Sequence, residues 1–252
     1  MKKILKTTFI FSFLLFLAVN IFLLTFNITK IRVKEKPAHS EPAIVRMKAM
    51  LLSVVKVTHI GKEEFDESAF STSATGFSIA YDVTTDSSLV LTNDHFCNEI
   101  TADSTLHIED YSQKLIDWSE GNSDLRVMKT SPALDLCLIQ ARGFIKPVKL
   151  IDDLYFPQLF EKVYVIGAPA GDFPIILDTY ISSFLDRDRI SLSSLSTSGN
   201  KFIMISEEIL PGHSGSPIFT LDGEVIGILF GALPQYGGFA ASANDIKLFL
   251  EN

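Results

Sequence analysis

The chain has 252 residues, enough for one large or two small domains, and 47% of them are hydrophobic. It carries 22 basic and 30 acidic residues; residues 1–36 hold 7 and 1 of these, so the rest has 15 against 29, a net of −14. An acidic remainder of that size has no electrostatic footprint for nucleic acid and excludes flat adsorption of that part onto an anionic membrane surface.

From Thr7 to Thr29 the stretch TTFIFSFLLFLAVNIFLLTFNIT holds no charged residue and is long enough to cross a bilayer core. It predicts an uncleaved signal anchor, a transmembrane helix within residues 1–29. A cleavable signal peptide is the alternative, opposed by the length of the run and the absence of a small-x-small site after it. Lys2, Lys3 and Lys6 precede the span, and Lys30, Arg32, Lys34 and Lys36 follow it, so charge bias leaves the orientation open. The short N-terminal tail favours a single-pass protein whose bulk lies on the extracytoplasmic side, periplasmic or extracellular. Residues 30–40, KIRVKEKPAHS, read as a juxtamembrane linker, and residues 41–252 as the remaining domain. Ser40 is placed to cap a helix running to about Leu52, with Pro42 in its first turn.

About a dozen short β-rich runs follow, from SVVKVTHI at residue 53 through RISLSSL at residue 189 to GFAASA at residue 238. Gly, Asp, Asn, Ser and Pro separate them, and Asp222-Gly223 between two such runs is a hairpin signal. ANDIKLFLEN at the end has apolar residues at helical spacing. The pattern is all-β, a barrel or sandwich architecture in two subdomains, closed by a C-terminal helix.

Residues 212–217, GHSGSP, place a serine between glycines ahead of an apolar strand. Such a turn exposes the serine and can aim backbone N–H groups at one point, although a plain hairpin loop has the same composition. A serine hydroxyl is a weak nucleophile until an imidazole takes its proton and a carboxylate orients that imidazole. Of the five histidines, His95 stands at the end of the apolar strand SLVLTN, where its ring is held in place. His39 falls in the linker and His59 at the end of the first strand, both read as solvated surface, while His107 reads as an ordinary strand residue. Asp135 enters the apolar run LDLCLIQA, and a carboxylate there needs a partner such as an imidazole N–H. His95, Asp135 and Ser214 are the candidate catalytic residues. Cys97 and Cys137 lack metal-ligand spacing and allow one bridge at most, or two buried thiols; no metal or cofactor is called for.

LTNDH, ALDLCLI and GHSGSP in this order resemble the HtrA-type branch of the trypsin-like, chymotrypsin-fold serine proteases. ATGFSIAYD, VYVIGAPAGDF, GEVIGI and GGFAASANDIKLFL extend the resemblance from about Leu52 to Leu250, and the form of GHSGSP is also that of glutamyl endopeptidases. The resemblance implies two six-stranded antiparallel β-barrels with the site in the cleft between them. It makes His95 the general base, Asp135 its orienter and Ser214 the nucleophile, with the N–H groups of Gly212 and Ser214 as the oxyanion hole. No PDZ domain follows in this sequence. Asp94 and His213, beside the base and the nucleophile, depart from the usual pattern; they either face solvent or shift the local proton affinities. If His95 and Asp135 touch, Cys97 and Cys137, each two residues further on, come close enough for a disulfide.

The same resemblance places the substrate pocket at Glu208 and Ile209 and along Ile228, Leu229, Phe230 and Gly231, with the strand Ile228–Ala232 pairing with substrate backbone. Ile209 and Leu229 stand where glutamyl endopeptidases hydrogen-bond a carboxylate, so aliphatic specificity is expected. Glu208 keeps a preference for Lys or Arg as the runner-up. The reading is a membrane-anchored serine endopeptidase acting on exposed or unfolded polypeptides. A catalytically silent binding module on the same scaffold is the alternative.

Overall fold

Short runs of β-branched and aromatic residues, alternating in which face they bury, build two sheets. The computed structural model describes residues 43–62, 69–100, 104–119, 126–186, 201–233 and 236–251, all within the unit Glu41–Asn252. After helix α1 (Ala43–Leu51) come β1 (Val54–Lys62), β2 (Ala69–Asp82), β3 (Ser87–Thr92), the one-turn helix α2 (Asp94–Cys97), β4 (Thr105–Glu109), β5 (Leu115–Ser119), β6 (Arg126–Ser131) and β7 (Leu136–Arg142). The second half holds β8 (Lys149–Leu150), β9 (Lys162–Gly167), β10 (Ile175–Asp186), β11 (Lys201–Ile205), β12 (Pro217–Thr220), β13 (Glu224–Leu233), β14 (Gly237–Ser242) and helix α3 (Ala243–Glu251).

The first sheet runs in the order β5-β4-β1-β2-β3-β7-β6. The second runs β12-β9-β10-β11-β14-β13-β8, and an added β12–β13 ladder joins its ends. The expectation of two six-stranded barrels is therefore corrected. Six strands of the second sheet close into a barrel, with β8 added in parallel to β13. The first sheet stays open among the described residues, because no ladder joins its five- and six-residue edge strands β5 and β6.

The N-terminal expectation is corrected as well. A single span needs about 20 apolar residues in helix, whereas α1 and α3 have 9 each. Among the described residues no helix is long and apolar enough to cross a membrane, and the stretch Thr7–Thr29 lies outside them. The transmembrane anchor, the membrane as a partner and the extracytoplasmic placement built on it are withdrawn.

Strand periodicity sorts side chains into separate cores. On β7, Leu136 and Leu138 join the apolar layer between the sheets, whereas Cys137, Ile139 and Ala141 fill the first sheet's concave side. On β13, Ile228 and Phe230 face that shared layer, and Ile226 and Leu229 fill the closed barrel. The Asp222-Gly223 turn does join β12 to β13, with Gly223 at φ 81° and its N–H donating to the Thr220 carbonyl at 3.0 Å. Ser242 and Asp245 cap α3 reciprocally: the Asp245 N–H donates to Ser242 Oγ at 3.3 Å, and the Ser242 N–H to Asp245 Oδ2 at 2.9 Å. Ile246 and Phe249 of α3 are buried against the layer between the sheets.

Candidate active site

The end of β3 delivers the histidine. Asn93 follows the strand as the N-cap and α2 starts at Asp94, so His95 sits in the first turn of a helix whose leading N–H groups lack intrahelical partners. One of them finds a carboxylate: the His95 backbone N–H donates to Asp135 Oδ1 at 2.8 Å. Asp135 is not inside a strand, as its apolar context suggested, but ends the tight turn before β7, with a left-handed φ of 52°. Asp tolerates that conformation better than most side chains. Asn93 spends its side chain there too, donating from Nδ2 to the Asp135 carbonyl at 2.9 Å.

With its backbone held in this way, Asp135 aims its second oxygen at the ring. Asp135 Oδ2 lies 2.7 Å from His95 Nδ1, and His95 Nε2 lies 3.1 Å from Ser214 Oγ. An ionised carboxylate only accepts, so Nδ1 carries the proton and Nε2 is left to accept from the serine hydroxyl. The hydrogen bond to Asp135 raises the pKa of His95 above its ordinary 6.5, against the opposing effect of burial.

Ser214 comes from the β11–β12 connection of the second sheet, where the chain turns tightly through Gly212 and Gly215, both at positive φ (98° and 83°). A Cβ at Gly212 would sit 2.1 Å from the Ala168 carbonyl oxygen, and one at Gly215 would sit 1.9 Å from that of Thr75, so no side chain fits at either. The N–H groups of Gly212 and Ser214 have no acceptor among the described residues. Cys97 and Cys137 form a disulfide with Cα atoms 6.5 Å apart, tying α2 to β7. Closing that 40-residue separation restricts the unfolded chain by about 4 kcal/mol on the chain-entropy account.

The residues named for the pocket have different environments. Glu208 is exposed; Ile209 is half-buried, with Cγ1 2.3 Å from where a Cβ on Gly238 would stand. Ile228 and Leu229 are 0% exposed and Phe230 is buried beside them, so their side chains belong to the cores. Gly231 is half-exposed in open space. Beyond Ile228 the edge of β13 that faced β12 carries no further ladder, which leaves Phe230–Leu233 as a free strand edge among the described residues.

Asp94 and His213 do not face solvent: they are 3% and 2% exposed. Burial raises the pKa of Asp94, whose charge adds a lesser push on His95, and burial lowers that of His213. Sequence reasoning passed over Asn93 and Thr75. Thr75 stands inside ATGF and is fully buried. Among the described residues no group of three or more His, Cys, Asp or Glu side chains could hold a metal ion.

A profile of the trypsin-like peptidase domain matches residues 74–228, more than half of the sequence. The chain belongs to the trypsin-like serine peptidases. Within that family it is 31% identical over 169 residues to a probable periplasmic serine endoprotease, DegP-like, of Marinomonas sp. (strain MWYL1), which covers 67% of this chain and 32% of the relative. A probable periplasmic serine endoprotease, DegP-like, of Pseudomonas putida (strain GB-1) is 29% identical over 150 residues, covering 60% of this chain and 28% of that one. The chain thus spans about a third of the length of these relatives. In fold it is similar to the serine endoprotease of Yersinia pestis, with a TM-score of 0.60 and 18% identity over 86% of this chain and 67% of that one. It is a trypsin-like serine peptidase domain related to the HtrA and DegP-like endoproteases.

Proposed function

We propose that residues 41–252 form the peptidase domain and hydrolyse peptide bonds in exposed or unfolded polypeptides, with Ser214 as nucleophile, His95 as general base and Asp135 as its orienter. The observation that carries this reading is the unbroken relay from Asp135 Oδ2 through the His95 ring to Ser214 Oγ, at 2.7 and 3.1 Å. As Ser214 Oγ attacks the scissile carbonyl carbon, its proton passes to Nε2, and Asp135 stabilises the imidazolium that results. The free N–H groups of Gly212 and Ser214 donate to the oxygen that becomes negative. Collapse of the tetrahedral intermediate breaks the C–N bond, and Nε2–H protonates the departing amine. Water, deprotonated by the same nitrogen, then hydrolyses the acyl-enzyme.

The substrate would enter as an antiparallel strand on the free edge at Phe230–Leu233, with main-chain hydrogen bonds supplying affinity. Ile209 beside Gly238 gives the pocket an aliphatic wall, and the exposed Glu208 supplies no buried counter-charge for Lys or Arg. Cleavage after small or aliphatic residues follows. The test is a peptide-library cleavage profile of the full chain, with Ser214→Ala as the control. Cuts after Val, Ala, Ile or Leu that vanish in Ser214→Ala are expected. A profile dominated by Lys and Arg would overturn the pocket assignment, and undiminished cleavage by Ser214→Ala would overturn the nucleophile.

A further inference from the structure

We infer that Thr75 is the positioning residue for the oxyanion-binding turn, holding through its hydroxyl the one peptide plane that separates the two donors. This inference rests on the reading of Gly212 and Ser214 proposed above. Thr75 belongs to β2 in the first sheet, yet its N–H and its hydroxyl are both committed to the second half of the chain, and its carbonyl alone is held from within the first sheet. Its N–H donates to the Ser214 carbonyl at 2.8 Å, and its own carbonyl accepts from Thr92 Oγ1 at 2.8 Å. Its side-chain oxygen lies 3.0 Å from the Ala168 N–H and 2.8 Å from the Gly212 carbonyl oxygen. The directions are forced. An amide N–H only donates and a carbonyl only accepts, so the hydroxyl accepts from Ala168 and gives its single proton to Gly212.

The Gly212 carbonyl and the His213 N–H are the two ends of one peptide unit. The N–H end donates to the Leu210 carbonyl at 3.1 Å and the carbonyl end accepts from Thr75, so the plane is pinned at both ends. The N–H of Gly212 lies immediately before this plane and that of Ser214 immediately after it. Gly212 has no Cβ and little conformational preference of its own, so its φ of 98° must be selected from outside. Removing the Thr75 hydroxyl leaves the plane held at its N–H end alone and leaves a buried carbonyl without its donor. The turn can then relax, and the two donors no longer converge on one point. Catalysis should suffer more than substrate binding, because donors aimed at the oxyanion act on the transition state.

The experiment compares wild type, Thr75→Val and Thr75→Ser in the full chain, measuring kcat and KM on a peptide p-nitroanilide with alanine before the scissile bond. Affinity for a peptidyl trifluoromethyl ketone, which forms a tetrahedral oxyanion on the serine, is measured alongside. Thr75→Val, close in shape but without the hydroxyl, should lose about 10- to 100-fold in kcat, less than the effect of deleting a donor outright, with KM within about twofold. Its ketone affinity should fall in step with kcat/KM, and Thr75→Ser should stay within about threefold of wild type. If Thr75→Val does not fold, Thr75→Ala replaces it, since it removes the hydroxyl without adding bulk. Unchanged kcat in the hydroxyl-free variant, or an equal loss in Thr75→Ser, overturns the role. A wild type that binds no ketone removes the oxyanion reading itself and the role of Thr75 with it, an outcome distinct from a ketone-binding wild type whose hydroxyl-free variant is unimpaired.

Discussion

In the proposed mechanism His95 works neutral, and Asp135 makes that state harder to reach. The hydrogen bond between them raises the His95 pKa above 6.5, so the acid limb of kcat/KM should have its midpoint above that value. Asp135→Asn keeps the shape but removes the charge: the midpoint should move down and the rate should drop about 10⁴-fold. The same shift has a sign for stability. His95 binds its proton more tightly folded than unfolded, so its contribution is fully present below pH 6.5 and fades as pH rises through the folded pKa. A pH–rate profile of both proteins checks this, and a limb unmoved by Asp135→Asn would contradict it. The three proposed catalytic side chains were legible because each stands out locally: a histidine after an apolar strand, a carboxylate at the start of an apolar run, and a serine between glycines ahead of a strand. Asn93 and Thr75 were not, because they act through backbone groups that a sequence does not display, and Asp94 and His213 gave no sign that tertiary packing would bury them.

The turn carrying Ser214 is defined by what its glycines exclude. At Gly215 the φ is 83°, and a Cβ would lie 1.9 Å from a backbone oxygen, which no side-chain rotation can relieve. Gly215→Ala should cost at least about 1–3 kcal/mol for the backbone conformation alone and more for the clash. It should also cut peptidase activity by at least about tenfold, since relief of the clash moves Ser214 away from His95. Thermal melts and turnover together check this, and an alanine variant with wild-type values would show that the turn is not packed as described. At this scale the hairpin at Asp222-Gly223 and the terminal helix could be read from local signals, a two-residue turn and a 3.6-residue repeat. Two strands escaped notice: β5, at Leu115–Ser119, and the two-residue β8. RISLSSL lies outside the described residues.

Across the whole molecule the site is a junction. His95 and Asp135 stand on the first sheet and Ser214 on the second, and one apolar layer that includes Phe77 and Leu91 of the first and Phe219 and Ile228 of the second holds the two together. Closure was the least legible feature. Whether a sheet closes depends on pairing between strands far apart in sequence, such as β9 with β12, and no local pattern of side chains encodes it. The N-terminal run Thr7–Thr29 shows the opposite hazard: a strong compositional signal suggested an anchor that the described fold does not contain. Family resemblance covered this weakness only in part, since it gave the β-rich order of elements and the terminal helix but not the open edge at β5 and β6.

The most direct measurement is covalent labelling of the native full chain with a fluorophosphonate, followed by peptide mapping of the modified residue. Attack by Ser214 on phosphorus requires the nucleophile, the base and the oxyanion donors together, and it requires no knowledge of the substrate. The account predicts a single label on Ser214, lost on unfolding and lost in His95→Ala while that variant keeps its fold. Absence of label on folded wild-type protein, or label at another residue, would contradict it.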